Sequence, residues 1–251
     1  MNPAPAVFDA YSRYYDLLYR DKDYAAEVAY IDQLLSRHAL GGREILEFGS
    51  GTGKHGRLLA ARGYRVTGIE RSAEMVAQAT EADGFRCRQG DICTVQLGRT
   101  FDAVLSLFHV VSYQVSNPQV QAVFARAAEH LQAGGLFIFD VWYSPAVYRS
   151  RPEVRVKRMA DERLEIIRIA EPEIHPNDNR VDVNYSILAR DRATNALETF
   201  TETHPMRHFS LPELDLLAAA AGFERHGAEA FLTGEPPGED TWGLCVVLRK
   251  T

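Results

Sequence analysis

Cysteine is scarce: three residues in 251, at Cys87, Cys93 and Cys245. An odd number at those separations makes neither a disulfide framework nor a zinc set. The thiols read as reduced ones in a cytoplasmic protein, and no metal is expected. Long apolar runs are missing too. None reaches the ~18 residues of a membrane span. The N-terminal "MNPAPAVFDAYSRYYD" has no basic stretch followed by an apolar one, so no secretory signal is expected. Surplus positive charge is also absent. Lys and Arg number 28 against 34 Asp and Glu, a net charge of −6, which argues against nucleic acid or an anionic membrane as partner. Internal repeats and low-complexity segments do not occur. What remains, 46% hydrophobic and 25% charged, is a globular composition long enough to bury a core unaided by metal or disulfide.

Along the chain, helix and strand patterns alternate up to about residue 150. Residues 23–39 carry Ala25, Val28, Ile31, Leu34 and Leu35 at helical spacing, stopped by Gly41 and Gly42. "REILEFG" reads as a buried strand, "HGRLLAARG" as a helix closed by Gly63, and "YRVTGIE" as a second strand. "SAEMVAQAT" reads as a helix capped by Ser72. "GFRCRQGD" and "FDAVLSLFHVV" read as strands three and four. "NPQVQAVFARAAEHLQAGG" reads as a helix with Pro118 near its start and Gly134 past its end. "LFIFDVWY" is a fifth strand. Such alternation predicts a parallel sheet covered by helices on both faces. Beyond residue 150 come consecutive strand patterns, "VRVKRM", "RLEIIRIA", "VDVNYSILARD" and "LETFTETHPMR". "EPEIHPNDN" is the expected turn between two of them. In the third run Val181, Val183, Tyr185 and Ile187 alternate with other residues, as in an antiparallel sheet with one wet face. "LPELDLLAAAAGF" returns to helix and "TWGLCVVLRK" is the last strand.

Residues 47–56, "EFGSGTGKHG", hold four glycines within eight positions. Glycine is costly inside regular structure, so such density marks a backbone that approaches something closely. Two frames overlap. Gly51, Gly53 and Gly56 fit the dinucleotide fingerprint G-x-G-x-x-G. Gly49, Gly51 and Gly53 fit a tighter pattern with Glu47 two residues ahead. Glu70 ends the second strand and suits the ribose hydroxyls of either NAD or S-adenosylmethionine. Asp91, at the tip of the third strand, suits an adenine amino group. Glu47 separates the readings: beside a pyrophosphate it meets like charge, whereas beside a cationic amino group it is favourable.

These segments resemble the class I S-adenosylmethionine-dependent methyltransferases. "ILEFGSGTGKHG", "VTGIERSAEMVAQA", "RQGDI", "FDAVLSLF" and "LQAGGLFIFD" recur in the family's order and at its separations. The resemblance implies a Rossmann-like α/β fold with a seven-stranded, mostly parallel sheet and an antiparallel β insert. It also implies a cofactor site: Glu47, Gly49 and Gly51 for the methionine moiety and loop, and Glu70 for the ribose. Arg71 and Met75 would flank the adenine. Asp91 and the Ile92 N–H would meet its polar edge, with Leu107 beneath the sulfonium. The expected organisation is residues 1–150 as lid helices and cofactor core, 151–208 as the insert, and 209–251 completing the core sheet. A narrower likeness, in "YYDLLYRDKDYAAE", "QLGRTFDAVLS" and "AEHLQAGG", is to the sugar-nucleotide N,N-dimethyltransferases. One departure is the absence of a basic residue before the closing Gly-Leu, where this chain has Trp242 in "DTWGL".

The acceptor side is read from residue chemistry. Tyr15, Tyr19 and Tyr24 suit an aromatic lid whose hydroxyls touch cofactor or acceptor; the other reading is a helix packed on the sheet. His109 follows the fourth strand at the ligand edge of such a sheet and suits a proton acceptor, or a loop histidine bonded to backbone. Asp140, Trp142 and Tyr143 end the fifth strand and suit the acceptor pocket or the core. His204 and His208 flank the end of the insert, within reach of the acceptor but without a fixed place. The insert reads as a roof over the site or as a dimer surface, which would make a homodimer. Arg155, Lys157, Arg158 and Arg168 suit a phosphate-bearing substrate or a solvated strand face. The expected activity is methyl transfer from S-adenosylmethionine to a small molecule, first to an amine of a nucleotide-linked sugar. The alternatives are a hydroxyl of a sugar or natural product and, in another class, an NAD(P)-dependent oxidoreductase.

Overall fold

The structure, a computed structural model, describes residues 14–38 and 41–251. The start of the N-terminal stretch and the end of the 23–39 helix pattern lie outside the described residues. Seven strands make the core sheet: β1 (Glu44–Phe48), β2 (Arg65–Glu70), β3 (Phe85–Gln89), β4 (Phe101–Ser106), β5 (Leu131–Tyr143), β10 (Phe223–Ala230) and β11 (Gly243–Lys250). Their order is β3-β2-β1-β4-β5-β11-β10, parallel from β3 to β5, with β11 antiparallel to both β5 and β10. This is the expected seven-stranded, mostly parallel sheet. Because both faces are covered, neighbouring residues of one strand enter different cores. Ile45 and Leu105 pack with Leu34, Leu35 and Leu59 from α2 (Tyr24–Arg37) and α3 (Lys54–Ala60). Leu46 and Val104 pack with Phe124 and Leu214 from α5 (Asn117–Glu129) and α7 (Leu211–Ala220). The unbroken apolar strands of the sequence follow from this double burial.

The inserted strands are β6 (Arg155–Ala160), β7 (Leu164–His175), β8 (Arg180–Asp191) and β9 (Leu197–Phe209), all antiparallel neighbours. They are not a free-standing layer. β4 stops pairing β5 at Phe139, and β9 then pairs Trp142 and Tyr143 through His208 and Phe209. β5 thus carries the insert over the ends of the parallel strands. α1 (Tyr15–Leu18) is a single turn that no short peptide would hold alone. Leu18 and Tyr14 bury against Met159, Ile166 and Ile187 of the insert, at about 1.5–3 kcal/mol for a fully buried large apolar side chain. Lys157 Nζ also donates to the Leu18 carbonyl.

Four expectations are corrected. The fourth strand ends at Ser106, not at residue 111, because Phe108 and His109 turn the chain with φ of 65° and 61° into a 3-10 turn at Val110–Tyr113. The fifth helix ends at Glu129, and "LQAGG" begins β5 through a register shift opposite Phe101–Ala103. "EPEIH" continues β7, and the turn is confined to residues 176–179, where Asn179 takes φ 49°. β10 and the short α6 (Ser144–Ser150) were not anticipated; β10 is an edge strand, half-exposed along most of its length, without clear alternation.

Candidate active site

The site begins where β1 turns into α3. Gly49, Gly51 and Gly53 all have left-handed backbone, φ 71°, 55° and 77°. The Gly49 and Ser50 N–H groups donate to the Ile69 carbonyl of β2 at 2.8 and 3.1 Å, which ties the loop to the next strand. A Cβ at Gly49 would lie 2.5 Å from Val110 Cγ2, whereas one at Gly51 would meet nothing nearer than Met75 Sδ at 3.9 Å. Gly49 is therefore a packing requirement, and Gly51 opens onto empty space.

That space is a cavity of about 330 Å3 at the carboxyl ends of the parallel strands, where ligands of open α/β sheets bind. Tyr15, Tyr19, Tyr24, Gly49, Gly51, Glu70, Met75, Leu107, His109 and Trp142 all line it. A second cavity of about 250 Å3 is lined by Gly49, Glu70, Arg71, Asp91 and Ile92. Gly49, Glu70, Val110 and Tyr113 belong to both walls, so the two cavities adjoin. Glu70 stands at this junction because β2 ends there. Its carboxylate accepts from the Gly51 N–H at 2.9 Å and the Ser72 N–H at 2.8 Å. Asp91 accepts from the Cys93 N–H at 2.8 Å and sits at the exposed tip beyond β3.

Of the residues given a cofactor or acceptor role from the sequence, Glu47, Asp140, Tyr143, Lys157, Arg158, Arg168 and His208 line neither cavity. Tyr143 follows Trp142 on a strand, so it points to the other face and packs on the core around Phe124. Glu47 lies behind the glycine loop. A Cβ on Gly56 would be 2.9 Å from its Oε2, and His55 Nδ1 is 3.9 Å from its Oε1. Oε2 has no hydrogen-bond partner among the described residues. Burial, and then the charge on Glu70, push its carboxyl up to about 8. His55 in turn pairs with buried Glu27 through Nε2–Oε2 at 2.6 Å, and Lys22 pairs with the same carboxylate.

His109 is held by its own strained turn. Its Nδ1 is 2.7 Å from Asp140 Oδ2, and its backbone N–H donates to the same oxygen at 3.2 Å. Burial alone would push the Asp140 carboxyl up, but the His109 imidazole and N–H more than offset it and hold the carboxyl below its usual range. Nδ1 makes no well-aligned hydrogen bond among the described residues, so its contact with Asp140 is one of charge and the backbone N–H carries the hydrogen bond. Around this pair stand aromatic rings: Phe108 edge-on to Tyr19 at 5.0 Å, and Trp142 against Trp242 at 5.4 Å. The Lys22 ammonium lies over the Phe108 ring at 4.3 Å and the Tyr24 ring at 4.5 Å, which fastens the start of α2 to the His109 turn.

The sequence did not single out Tyr113, Tyr185 or Glu202. His204 was noted without a place. Tyr113 Oη is 3.0 Å from His204 Nδ1, and His204 Nε2 is 2.9 Å from Glu202 Oε1. The register that brings β9 beside Tyr113 is a pairing between distant segments, and single-chain periodicity carries no trace of it.

Residues 45–135 match the family described as methyltransferase domain. The chain is 27% identical over 227 residues to the dTDP-3-amino-3,4,6-trideoxy-alpha-D-glucopyranose N,N-dimethyltransferase of Streptomyces venezuelae, covering 89% of this chain and 92% of that one. It superposes with a TM-score of 0.75 on S-adenosylmethionine-bound CalS10, an amino pentose methyltransferase from Micromonospora echinaspora, at 25% identity and 100% coverage of both chains. A sugar N-methyltransferase from a Streptoalloteichus species shares the fold at TM-score 0.82 and 23% identity, over 100% of this chain and 97% of that one. The chain is a class I S-adenosylmethionine-dependent methyltransferase. The residues present fit that cofactor. The open left-handed Gly51, the buried unpartnered oxygen of Glu47 and the adjoining cavities make a long cradle with an acid behind the loop. No helix of the methyltransferase is long and apolar enough to cross a membrane among the described residues.

Proposed function

We propose that the methyltransferase N-methylates a small molecule, first of all an amino group on a nucleotide-linked sugar. In this reading residues 1–150 and 209–251 hold the cofactor and the insert, 151–208, roofs the acceptor. The second cavity would take the adenosine, with Glu70 accepting from the ribose hydroxyls, Asp91 and the Ile92 N–H at the adenine edge, and Arg71 beside the ring. Met75 and Leu107 would pack from the other cavity near the sulfur. Gly49 and Gly51 would let the chain approach the methionine moiety, whose ammonium Glu47 would attract through the loop. Tyr15 and Tyr19 would close over it.

The bound cofactor supplies an electrophilic methyl group; everything else falls to the chain. Its tasks are to align a nucleophile behind that carbon, to exclude water, and to take a proton. The aromatic walls, with Tyr24 and Trp142 among them, do the second. For the third, the His109 imidazole would accept the proton, with the Asp140 carboxylate 2.7 Å from Nδ1 to offset the charge it gains. The observation that carries the methyl-transfer reading is His109, backed by Asp140, in the wall of an aromatic cavity adjoining the ribose acid. An amine reaching the site as ammonium must lose one proton before it can attack. The same base would serve a hydroxyl, so O-methylation is the second reading. The nucleotide-linked sugar is supported by the likeness to the dTDP-amino sugar N,N-dimethyltransferase of Streptomyces venezuelae and by Arg155, the one insert arginine in the cavity wall.

The test is transfer of a labelled methyl group to a panel of dTDP-linked amino sugars, their hydroxyl counterparts and nucleotide-free amines. Preferred transfer to the dTDP-linked amines is expected. Transfer confined to hydroxyls would replace the first reading by the second.

A further inference from the structure

We propose that Glu47 is a neutral acid in the ligand-free methyltransferase and gives up its proton to solvent when the ammonium of the cofactor arrives. This deepens the functional reading above and rests on its placement of the methionine moiety at Gly49 and Gly51. Glu47 is 1% exposed, near the end of β1. An ionised carboxylate only accepts, and once buried it needs N–H or O–H donors or a cation beside it. Among the described residues no donor reaches its Oε2. The titratable groups facing it come from three elements. From α3, His55 Nδ1 stands 3.9 Å from Oε1, beyond hydrogen-bond reach. The Nε2 of that ring is 2.6 Å from Glu27, whose carboxylate also pairs with Lys22. Burial pushes the His55 imidazole down, so at neutral pH the ring brings no charge to offset one on Glu47. From β2 comes the Glu70 carboxylate, already engaged by the Gly51 and Ser72 N–H groups. From β3 comes the Cys87 thiol, which burial keeps protonated. Burial and a like charge both favour the uncharged acid, and they push Glu47 up to about 8.

His55 also lines the larger cavity, beside Gly49, Ser50, Gly51 and Thr52 of the glycine loop. A ligand ammonium laid on that loop brings the positive charge that Glu47 otherwise does without. A cation near a carboxylate holds its pKa down by about 1–3, which takes Glu47 from about 8 to neutrality or below. The Glu47 O–H bond then breaks, its electron pair stays on the carboxylate, and the proton passes to the buffer. The ammonium keeps all of its own hydrogens, and nothing is oxidised or reduced. Two properties follow. Affinity for a ligand that carries the ammonium rises with pH until Glu47 is ionised without help, near pH 8. An adenosyl thioether without the ammonium gains nothing from Glu47, so the site discriminates by ligand charge and does so more strongly as pH rises.

The test is titration calorimetry in buffers of different ionisation enthalpy, which counts protons released per ligand bound. S-adenosylhomocysteine, which keeps the ammonium, is compared with 5′-methylthioadenosine, which keeps the adenosine and the thioether but lacks the amino acid. At pH 7 wild type should release about 0.4–0.9 proton per S-adenosylhomocysteine, the range that a fall of about 1–3 from a pKa of about 8 gives. Its affinity should rise by about 5–50-fold from pH 6 to pH 8 on the same arithmetic. Methylthioadenosine should release essentially none and bind alike at both pH values. Glu47→Gln should abolish the release with S-adenosylhomocysteine and flatten its pH dependence. The two ligands on wild type carry the test should Glu47→Gln not fold, and Glu47→Gln carries it should methylthioadenosine bind too weakly to titrate. No release with S-adenosylhomocysteine, equal release with both ligands, or undiminished release in Glu47→Gln would each overturn the proposal and leave the cofactor site standing. Wild type that fails to bind S-adenosylhomocysteine at all would overturn the placement of the cofactor, and this proposal with it.

Discussion

Gly49 and Gly51 share one loop and one backbone conformation, yet the structure separates what each is for, and two alanine substitutions test the separation. An L-residue in the left-handed region costs about 1–2 kcal/mol. Gly51→Ala should cost only that, because its new methyl meets nothing nearer than Met75 Sδ at 3.9 Å. Gly49→Ala adds a methyl 2.5 and 2.6 Å from the two Val110 methyls, and overpacking of that kind adds about 1–3 kcal/mol. The expected totals are about 1–2 against about 2–5 kcal/mol. At about 2–4 °C per kcal/mol for a chain of this length, Gly51→Ala should lose roughly 2–8 °C of Tm and Gly49→Ala roughly 4–20 °C. Binding should follow the opposite emphasis. The Gly51 methyl projects into the cavity, where the cofactor would have to come close, so S-adenosylhomocysteine affinity should fall in Gly51→Ala out of proportion to its Tm. Thermal melts and titration calorimetry on both variants give the four numbers needed. Gly51→Ala melting below Gly49→Ala, or binding S-adenosylhomocysteine like wild type, would refute the reasoning.

Three further outcomes follow from charged groups. Glu47 is an acid whose pKa is raised to about 8 in the fold, so the stability tied to its proton is complete below about 4.5 and lost as pH rises towards 8; Glu47→Gln, which cannot ionise, should gain on ligand-free wild type across that window in denaturant melts, and parallel curves would count against it. Asp140 is shifted the other way, below its ordinary 3.8, so its contribution is present above that pH and lost on acidification; the stability gap between wild type and Asp140→Asn should narrow from pH 7 to pH 3, and an unchanged gap would contradict the His109 pairing. Arg155→Ala should raise KM for a dTDP-linked acceptor by about tenfold, the order of one lost charged hydrogen bond, while leaving KM for the nucleotide-free amino sugar alone; equal changes for both would remove Arg155 from nucleotide recognition.

The parallel half of the fold was readable because its signals are local. Ile45, Leu46, Val104 and Leu105 are apolar on both faces of a strand, Ser72 and Pro118 mark helix starts, and Gly63 marks a helix end. The errors fall where a local pattern is overruled by something distant. "FHVV" is strand-like by composition, but Asp140 on the neighbouring strand accepts from the His109 backbone N–H, and the chain turns. "EPEIH" contains a proline and looks like a turn, but pairing with Val181–Asn184 keeps it extended. β10 had no periodicity to find, because it is itself the edge strand, paired with β11 alone, and all but its first side chain are partly or fully exposed.

The placement of two candidate acids was legible for the same local reason: each stands at or just past the end of its own strand, so strand order alone brings Glu70 and Asp91 to one edge of the sheet. Tyr143 was not, since a one-residue step on β5 decides which face it joins, and the apolar run around it hides the alternation. The acceptor side depends on one event with no local signature, the hand-over at which β9 takes the edge of β5 that β4 leaves after Phe139. That switch carries His204 and Tyr185 over the strand ends and brings Tyr113 within hydrogen-bond reach of His204. A sequence can therefore keep every cofactor motif while a shift of β9 along β5 rebuilds the acceptor wall. On the proposed reading, acceptor choice would follow the register of β9 on β5 rather than the glycine loop.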